Sequence, residues 1–567
     1  MILRQWKNER TGLEMTEKEP VMTGDDRSDQ TGETSDLIVR YAYSVMIVVS
    51  LAMILGRLFN TVYLVEPWVR NWPDKSPTTF STLSSNDRSR WATVRAIVDN
   101  GTYSVGQRMT TENGDGDYED SGIRFETGLR GVDYVLHPDR NKFYSSKPPL
   151  LATIIAVPYW LLQRVTGWTL ADNLLEVTRS LLVVINVLPW AVYLWLVSRI
   201  VDQHAERIWT RLFVFATASM GTLLTTFTVT LNNHLPAAVC AMAVIYLLFR
   251  VLQTEQAQWR IWALMGALCG FILVCELPGA ALVGVVFLWL SYRCWRTTFI
   301  GFLPGVILII GLMFLTNFMA LGRWEPVYRF RHFEDPDKAD YIWYHYEGSH
   351  WSPEKIAGID AAQENKSTYA FHVLLGHHGI LSHSPVFLLS VIGIVLGWKK
   401  GGEMRLFSLL TAIVSSVVIG FYVLNTNNYG GNTSGFRWSF WLIPLWIVVL
   451  IPAVDMMSKC VKGRLCSLLL LAVSVISVSF PIWNPWRPNW PYRLLDHLEW
   501  IDYSIQPPCE PLEGLNSIVA VHREQPGITL IEQQGLPDRK TDCNKIKRKE
   551  VNGDRSCISF ASSWNQL

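Results

Sequence analysis

Two charged residues define the chemistry that this sequence offers. Lys147 precedes two prolines in DRNKFYSSKPPLL (139–151), where a polar stretch gives way to an apolar one. Prolines favour a first helical turn, so this lysine either belongs to a plain helix start or is a cation held at a membrane surface. Asp87 falls in the first turn of a helix predicted over SSNDRSRWATVRAIVDNGTY (84–103). There it complements the helix dipole, and the same position favours the ionised form that a general base needs.

The composition places these residues in a polytopic membrane protein. Of the 567 residues, 49% are apolar and 17% are charged, whereas an average soluble domain has about 25% charged residues. The apolar residues cluster in runs that approach the roughly 20 residues of a membrane-crossing helix. The net charge of +1 argues neither for nor against nucleic acid, and no nucleic-acid partner is predicted.

The apolar runs predict about eleven membrane-spanning helices. Loops rich in Lys or Arg recur between them and are expected on the cytoplasmic side. The alternation holds only if the proline-started stretch 148–163 lies in the outer interface, and its roughly 16 apolar residues are few for a crossing. The predicted runs are 38–58, 180–198, 210–231, 235–251, 261–275, 277–291, 298–317, 384–398, 406–424, 438–456 and 465–481.

Three regions follow from this topology. Residues 1–37 form a polar cytoplasmic tail, predicted to be disordered because its hydrophobicity is low. Residues 38–481 form the membrane domain, with large outer loops at about 59–178 and 319–383. Residues 482–567 form a small C-terminal segment on the outer face. The polar material therefore lies mainly on one side of the membrane.

The first predicted span, near 38–58, is interpreted as a signal anchor. Three elements follow it in order: an aspartate at a helix start, a Gly-x-Tyr, and a Tyr-x-x-Lys-Pro-Pro that leads into an apolar helix. This order resembles the GT-C superfamily of membrane glycosyltransferases. Within it, the chain is most similar to the branch of protein O-mannosyltransferases and the lipid A aminoarabinose transferase. The resemblance covers about 38–481 as topology and roughly 85–165 as sequence. The matching residues are Asp87-Arg88, Gly101-Thr102-Tyr103 and Tyr144-Ser145-Ser146-Lys147-Pro148-Pro149.

The resemblance implies an all-α GT-C fold that transfers a sugar from a polyprenyl-phosphate donor. Transfer would take place on the outer face of the plasma membrane (the inner membrane in bacteria), in contact with membrane lipids, to a lipid, glycan or protein acceptor. Asp87 matches the family's catalytic aspartate, a general base, and Lys147 matches its phosphate-contacting lysine.

Arg88 stands where the family often has a glutamate. An arginine cannot ligate a metal, so we predict no metal ligands and no required cofactor, with a divalent cation left as an open alternative. Arg88 would instead be a second contact to the donor phosphate.

Other outer-face residues are weaker candidates, each with a structural alternative. Arg437 either snorkels to the headgroups or holds the phosphate together with Lys147. Asn233 and His234, in TLNNHLP, either start a helix or bind substrate through hydrogen bonds. Glu276 either caps a helical hairpin or acts in function, as ionisable groups at membrane depth often do.

Two further groups complete the candidates. His377 and His378, in GHHGILSHSP, form a structural turn, bind sugar or phosphate, or ligate a metal. Tyr103, Asp133 and Tyr144 lie close to the motif and are predicted to contact substrate, although an aromatic belt is the alternative for the tyrosines.

Two functions of other classes compete with transfer. A transporter or flippase of lipid-linked sugars would place its functional charges inside the spans, whereas the predicted spans are nearly free of charge. A non-catalytic membrane scaffold with the same fold would tolerate the loss of Asp87 or Lys147.

Overall fold

A computed structural model describes most of the membrane domain and parts of the outer loops. The first 23 residues of the predicted cytoplasmic tail and everything after residue 503 of the predicted C-terminal segment lie outside the described residues. Helix α1 starts at Gly24, so it already covers the end of the stretch that was predicted to be disordered. The described residues are 24–60, 84–110, 118–253, 258–332, 339–352, 358–362 and 364–503.

The prediction of an all-α polytopic protein is confirmed. Each of the eleven predicted apolar runs lies mainly within helical structure, and two of them share one helical stretch that bends at Cys294. Eight helices of the described chain are long and apolar enough to cross a membrane. These are Asp36–Phe59, Leu174–His204, Ile208–Phe227, His234–Gln253, Leu277–Leu321, Gly402–Asn425, Arg437–Met457 and Val461–Trp483.

The helices of the membrane domain follow one another with short connections, and some of them continue through π or 3-10 turns. Their bounds are α1 Gly24–Phe59, α4 Leu174–Leu182, α5 Leu188–His204, α6 Ile208–Met220, α7 Leu223–Phe227, α8 His234–Gln253, α9 Trp259–Cys275, α10 Ala280–Thr297, α11 Leu303–Leu321, α14 Leu388–Lys400, α15 Gly402–Asn425, α16 Ile443–Met457 and α17 Val461–Ser479.

Helix α16 lies at the centre of the bundle. Its side chains are apolar on all sides, as expected of a helix that is buried all round, and nearly all of them are buried. Helix α14 approaches it closely at Gly393, where any Cβ would clash with the backbone oxygen of Val449. Small residues at such crossings let membrane helices pack by van der Waals contact.

The first outer loop contains a small sheet that the sequence did not predict. The strands are short and antiparallel, in the order β2-β1-β4-β3. The sheet lies between two helices of the loop, and a second apolar core joins it to the second outer loop. The bounds are α2 Ser85–Asn100, β1 Gly106–Thr110, β2 Tyr118–Ser121, β3 Tyr134–Leu136, β4 Lys142–Ser145 and α3 Pro149–Thr166.

Helix α3 contains the stretch that was predicted to lie in the outer interface. It packs against α2 and α11, and it is not among the eight span candidates of the described chain. Part of its apolar surface remains exposed, with Val157 at 60% and Leu161 at 51%. The helices of the regions predicted to lie on the outer side are otherwise short: α12 Lys366–Leu374, α13 Ile380–His383 and α18 Trp490–His497.

Candidate active site

The β3–β4 hairpin brings Asp133 and Lys147 together. Tyr134 pairs with Ser145 in the antiparallel register, so the residues that flank this pair lie opposite each other. The ladder continues by one bond, because the Ser146 amide donates to the Asp133 carbonyl at 2.9 Å. Lys147 Nζ then lies 2.8 Å from Asp133 Oδ1. We call these two residues the hairpin pair.

The hairpin pair lines a cavity of about 100 Å³ between the two outer loops. The first outer loop contributes the hairpin pair, and the second contributes a cation and three aromatic rings. Arg331 lies over the Trp351 ring at 3.9 Å from its centroid. The cavity thus offers two cations, one carboxylate and apolar ring faces. Its lining residues are Asp133, Ser146, Lys147, Tyr328, Arg331, Tyr344 and Trp351.

The charges around the hairpin pair set its ionisation. Burial opposes the charge on Asp133, but the adjacent Lys147, with Arg331 and Arg437, outweighs this and lowers the pKa of Asp133 below its usual value. Burial also lowers the pKa of Lys147 to about 8, an effect that Asp133 partly offsets and that Arg90 and Arg437 increase. Asp133 is therefore ionised at neutral pH, and Lys147 loses its proton at moderately alkaline pH.

Asp87 lies at the start of α2, as predicted, and is fully buried. One carboxylate oxygen forms a capping box with Ser84, whose amide donates at 2.7 Å. The other accepts from the Thr230 hydroxyl at 2.6 Å. The neighbouring Ser85 hydroxyl accepts from the Asp133 amide at 2.9 Å. Asp87 thus stabilises the helix start that holds Asp133 in place, and it does not line the cavity.

Four of the predicted residues meet in one polar network at the ends of the candidate spans; two of the four are buried and two are partly buried. Asn233 donates to Glu276 at 2.7 Å, and His234 contacts the same carboxylate oxygen. Arg437 reaches His234 at 3.3 Å and donates to the Gly430 carbonyl at 2.9 Å.

Arg90 connects this network to α2. Its guanidinium donates to Asn233 Oδ1 at 2.8 Å and also contacts the Asn86 side chain. Burial lowers the pKa of Arg90 to about 10, so the side chain keeps its charge at neutral pH. Because Arg90 and Arg437 both lower the pKa of Lys147, the network contributes positive potential at the hairpin pair.

Three further predicted residues, like Asp87, do not line the cavity. Arg88 donates to the Arg130 carbonyl at 2.9 Å, a contact that anchors the loop before β3. Tyr144 is buried in the second apolar core, and Tyr103 packs against that core. The Tyr103 hydroxyl lies 3.1 Å from the Thr153 hydroxyl. These residues support the walls of the site.

His377 and His378 belong to a separate buried cluster. Their Nδ1 atoms are 2.5 Å apart, and His377 Nε2 lies 2.8 Å from the Tyr503 hydroxyl. Burial lowers the pKa of both rings, that of His378 to about 3, so both are neutral at pH 7. His377, Glu364 and His372 present ligand atoms within 4.8 Å of one another, which makes them a candidate metal centre.

Sequence reasoning missed Arg331 and Arg90. Arg331 lies in a stretch without periodicity or motif, so no sequence pattern predicts that it contacts the hairpin. Arg90 lies in a charged helical turn that resembles a solvated face. The tryptophan beside it, fully buried in the structure, was the one signal that this helix is enclosed.

No protein-family model matches the sequence, and no curated protein matches it. Weak similarity to solved structures is found. The archaeal oligosaccharyltransferase AglB from Archaeoglobus fulgidus, in complex with an inhibitory peptide and a dolichol-phosphate, aligns at a TM-score of 0.41 and 10% identity over 85% of this chain and 59% of that one. The oligosaccharyltransferase of the same organism tethered with an acceptor peptide aligns at 0.44 and 10% identity over 84% and 61%.

ArnT from Cupriavidus metallidurans in the apo state aligns at a TM-score of 0.41 and 12% identity, over 78% of this chain and 75% of that one. This chain therefore spans less than two thirds of the archaeal chains and three quarters of ArnT. AglB and ArnT are GT-C membrane glycosyltransferases, the superfamily that the sequence resembles. Scores this low carry no argument about activity, which has to rest on the residues of this chain.

Proposed function

We propose that this protein is a membrane glycosyltransferase that moves a sugar from a polyprenyl-phosphate donor to an acceptor on the outer face of the membrane. The observation that carries the proposal is the cavity in which Lys147 and Arg331 flank Asp133. Two cations beside one ionised carboxylate suit a reaction that releases a phosphate and takes up a proton.

Each step of the sugar transfer can be assigned to residues that line this cavity. The bond between the sugar's anomeric carbon and the phosphate oxygen breaks, and its electron pair leaves with the phosphate. Lys147 and Arg331 stabilise the charge that develops there. The acceptor oxygen bonds to the anomeric carbon, and Asp133 accepts the proton of that oxygen. The rings of Tyr328, Tyr344 and Trp351 supply faces for the sugar.

The position of Lys147 supports a donor carried by a lipid. The residue immediately precedes α3, whose exposed apolar side chains include Val157 and Leu161. A helix with such a face settles at the headgroup level of a bilayer. A phosphate bound at Lys147 would therefore leave a polyprenyl chain beside an apolar surface.

The distribution of charges favours a transferase over a transporter. His234 and Arg437 begin candidate spans and Glu276 directly precedes one, so this network lies near the ends of those spans and away from their middle. A transporter binds its substrate near the bilayer midplane.

Mass spectrometry of glycolipids and glycans from wild-type and deletion cells tests the proposal. We expect the deletion strain to lack one sugar modification, which returns with the wild-type gene or with His497→Gln, a change of an exposed histidine. Lys147→Ala should not restore it. An unchanged glycan and glycolipid profile in the deletion strain, or full rescue by Lys147→Ala, would refute this function.

A further inference from the structure

The second outer loop holds two buried histidines and a partly buried glutamate that suit one metal ion. Glu364 precedes α12, His372 lies within it, and His377 follows it, so one short helix brings them together. Their ligand atoms lie within 4.8 Å of one another, and His372 Nε2 is 3.9 Å from Glu364 Oε1. None of the three lines the Lys147 cavity. A metal here would be separate from the proposed transfer chemistry.

The hydrogen bonds around the three residues resemble the outer shell of a metal site. The Tyr429 hydroxyl donates to one oxygen of Glu364, which orients the carboxylate and leaves its other oxygen toward the histidines. Metal-ligating groups are commonly fixed by such partners. His372 is 5% exposed, and its Nδ1 has no hydrogen-bond partner among the described residues. The other ring nitrogen, Nε2, faces Glu364 and is the atom that would bind the metal.

The Tyr503 hydroxyl lies where the ligand atoms converge. It donates to Glu364 Oε1 at 2.6 Å and lies 2.8 Å from His377 Nε2. Donor atoms of a tetrahedral zinc site are about 3.4 Å apart, since the Zn–N and Zn–O bonds are about 2.0–2.2 Å long. Side-chain movements of about 1 Å would close the site, with the hydroxyl displaced.

We propose that Glu364, His372 and His377 bind one divalent transition-metal ion of the zinc type. Two imidazoles and a carboxylate form a ligand set that zinc accepts, with a fourth position left for water. The binding does not depend on the proposed glycosyl transfer.

The proposed metal site contacts residues 428–430, the loop segment that binds the Arg437 side chain. Tyr429 contacts Glu364, and the next residue, Gly430, accepts the hydrogen bonds of the Arg437 guanidinium. The Tyr369 hydroxyl in α12 donates to the Asn428 carbonyl at 2.8 Å. A metal that fixes Glu364 would therefore order residues 428–430 and, through them, the position of Arg437.

Cobalt titration of the purified full-length protein in detergent tests the binding. After chelation and removal of the chelator, we expect one Co²⁺ per chain, with the strong visible absorption of a four-coordinate site, and displacement by one Zn²⁺. The absence of stoichiometric binding to the folded wild-type protein would overturn the proposal. This outcome is independent of whether the protein transfers sugar.

Substitutions of the proposed ligands and of control residues test where the metal ion binds. We expect His372→Gln with His377→Gln to weaken binding at least about 100-fold, since losing even an outer-shell partner costs about 10–100-fold. His497→Gln, an exposed histidine in α18, should bind as the wild type does. Tyr503→Phe should bind at least as tightly, because it vacates the centre of the cluster. Unchanged binding in the double variant, or loss of binding in Tyr503→Phe, would show that these residues are a hydrogen-bonded hub only.

Hydrogen exchange with and without bound Zn²⁺ measures the consequence for the loop. We expect slower exchange at residues 428–430 in the metal-bound protein and no change in β3 and β4. Equal exchange in both states would contradict the ordering role.

Discussion

Asp87 and Asp133 belong to the same predicted outer loop, yet the environments of their side chains differ. Asp87 is fully buried, and both of its oxygens accept hydrogen bonds, from Ser84 and from Thr230. Asp133 borders a cavity and faces Lys147 at 2.8 Å. Ser85 joins them, because it follows Ser84 at the start of α2 and accepts from the Asp133 amide.

This difference distinguishes two roles of a carboxylate that look alike in a sequence. A carboxylate whose acceptor positions are filled by protein donors stabilises a helix start. A carboxylate beside a cation at the wall of a cavity is available to a substrate. The prediction that Asp87 is the general base stays a prediction, whereas the geometry supports Asp133 for direct contact and Asp87 for positioning.

Among the variants, Asp133→Asn should reduce the transfer rate most. If Asp133 accepts the acceptor's proton, its loss should slow the initial transfer rate about 10²–10⁴-fold, the usual contribution of a general base. The assay uses purified protein in nanodiscs with the lipid-linked donor from the source cells. A matched Asp87→Asn variant provides the comparison. If Asp87→Asn showed the larger loss while remaining folded, the roles would be reversed.

Raising the pH should weaken the attraction between Lys147 and the donor phosphate. Burial lowers its pKa to about 8, so the ammonium is charged below that pH and neutral above it. We expect the transfer rate to fall about tenfold between pH 7 and pH 9, in proportion to the charged fraction. Lys147→Arg keeps its charge over this range, so its rate should stay flat. An identical alkaline decline in both proteins would place the titrating group elsewhere.

A smaller effect is expected from the cation of the second outer loop. Arg331 lies 3.9 Å from the centroid of the Trp351 ring, and Arg331→Ala removes one of two cations from the cavity. An ion pair at a partly exposed site contributes up to about 1 kcal/mol, which corresponds to an at most about fivefold weaker affinity for polyprenyl phosphate. Arg329→Ala, in the same 3-10 helix but more exposed, is the control. Equal effects of both variants would indicate general electrostatic attraction.

The smallest effect on activity should come from Asp87→Asn. The amide keeps the shape of the carboxylate and can still accept from Ser84, so the transfer rate should change less than about threefold. The free energy of unfolding should fall by about 1 kcal/mol, as for other weakened helix caps. Thermal unfolding in detergent measures this change, with Asp133→Asn as the comparison.

Much of the fold follows from the sequence because membrane helices leave a strong signal. Long apolar runs and the basic loops between them locate each helix of the bundle. The sheet of the first outer loop leaves almost none: β3 Tyr134–Leu136 has three residues, too few for an alternating pattern to show. Its register, which brings Asp133 to Lys147, therefore comes only from the structure.

The sequence predicts several residues of the candidate site, but it does not predict how they are arranged in space. Lys147 and Asp133 were both proposed, but separately. The sequence predicts Asn233 with His234, Glu276 alone, and Arg437 with Lys147. The network that joins these residues depends on contacts between helices far apart in sequence. Arg331 and Glu364 had no local pattern, because each acquires its role only where a loop folds onto another element.

The affinity of the purified protein for undecaprenyl phosphate, measured with wild type and Lys147→Ala in nanodiscs at pH 7, tests the central claim most directly. Hydrogen bonds to a charged group contribute about 1.5–3 kcal/mol, so the variant should bind about 10- to 100-fold more weakly, while His497→Gln binds as the wild type does. Equal affinity of wild type and Lys147→Ala, with both proteins folded, would contradict the assignment of this cavity to the donor phosphate.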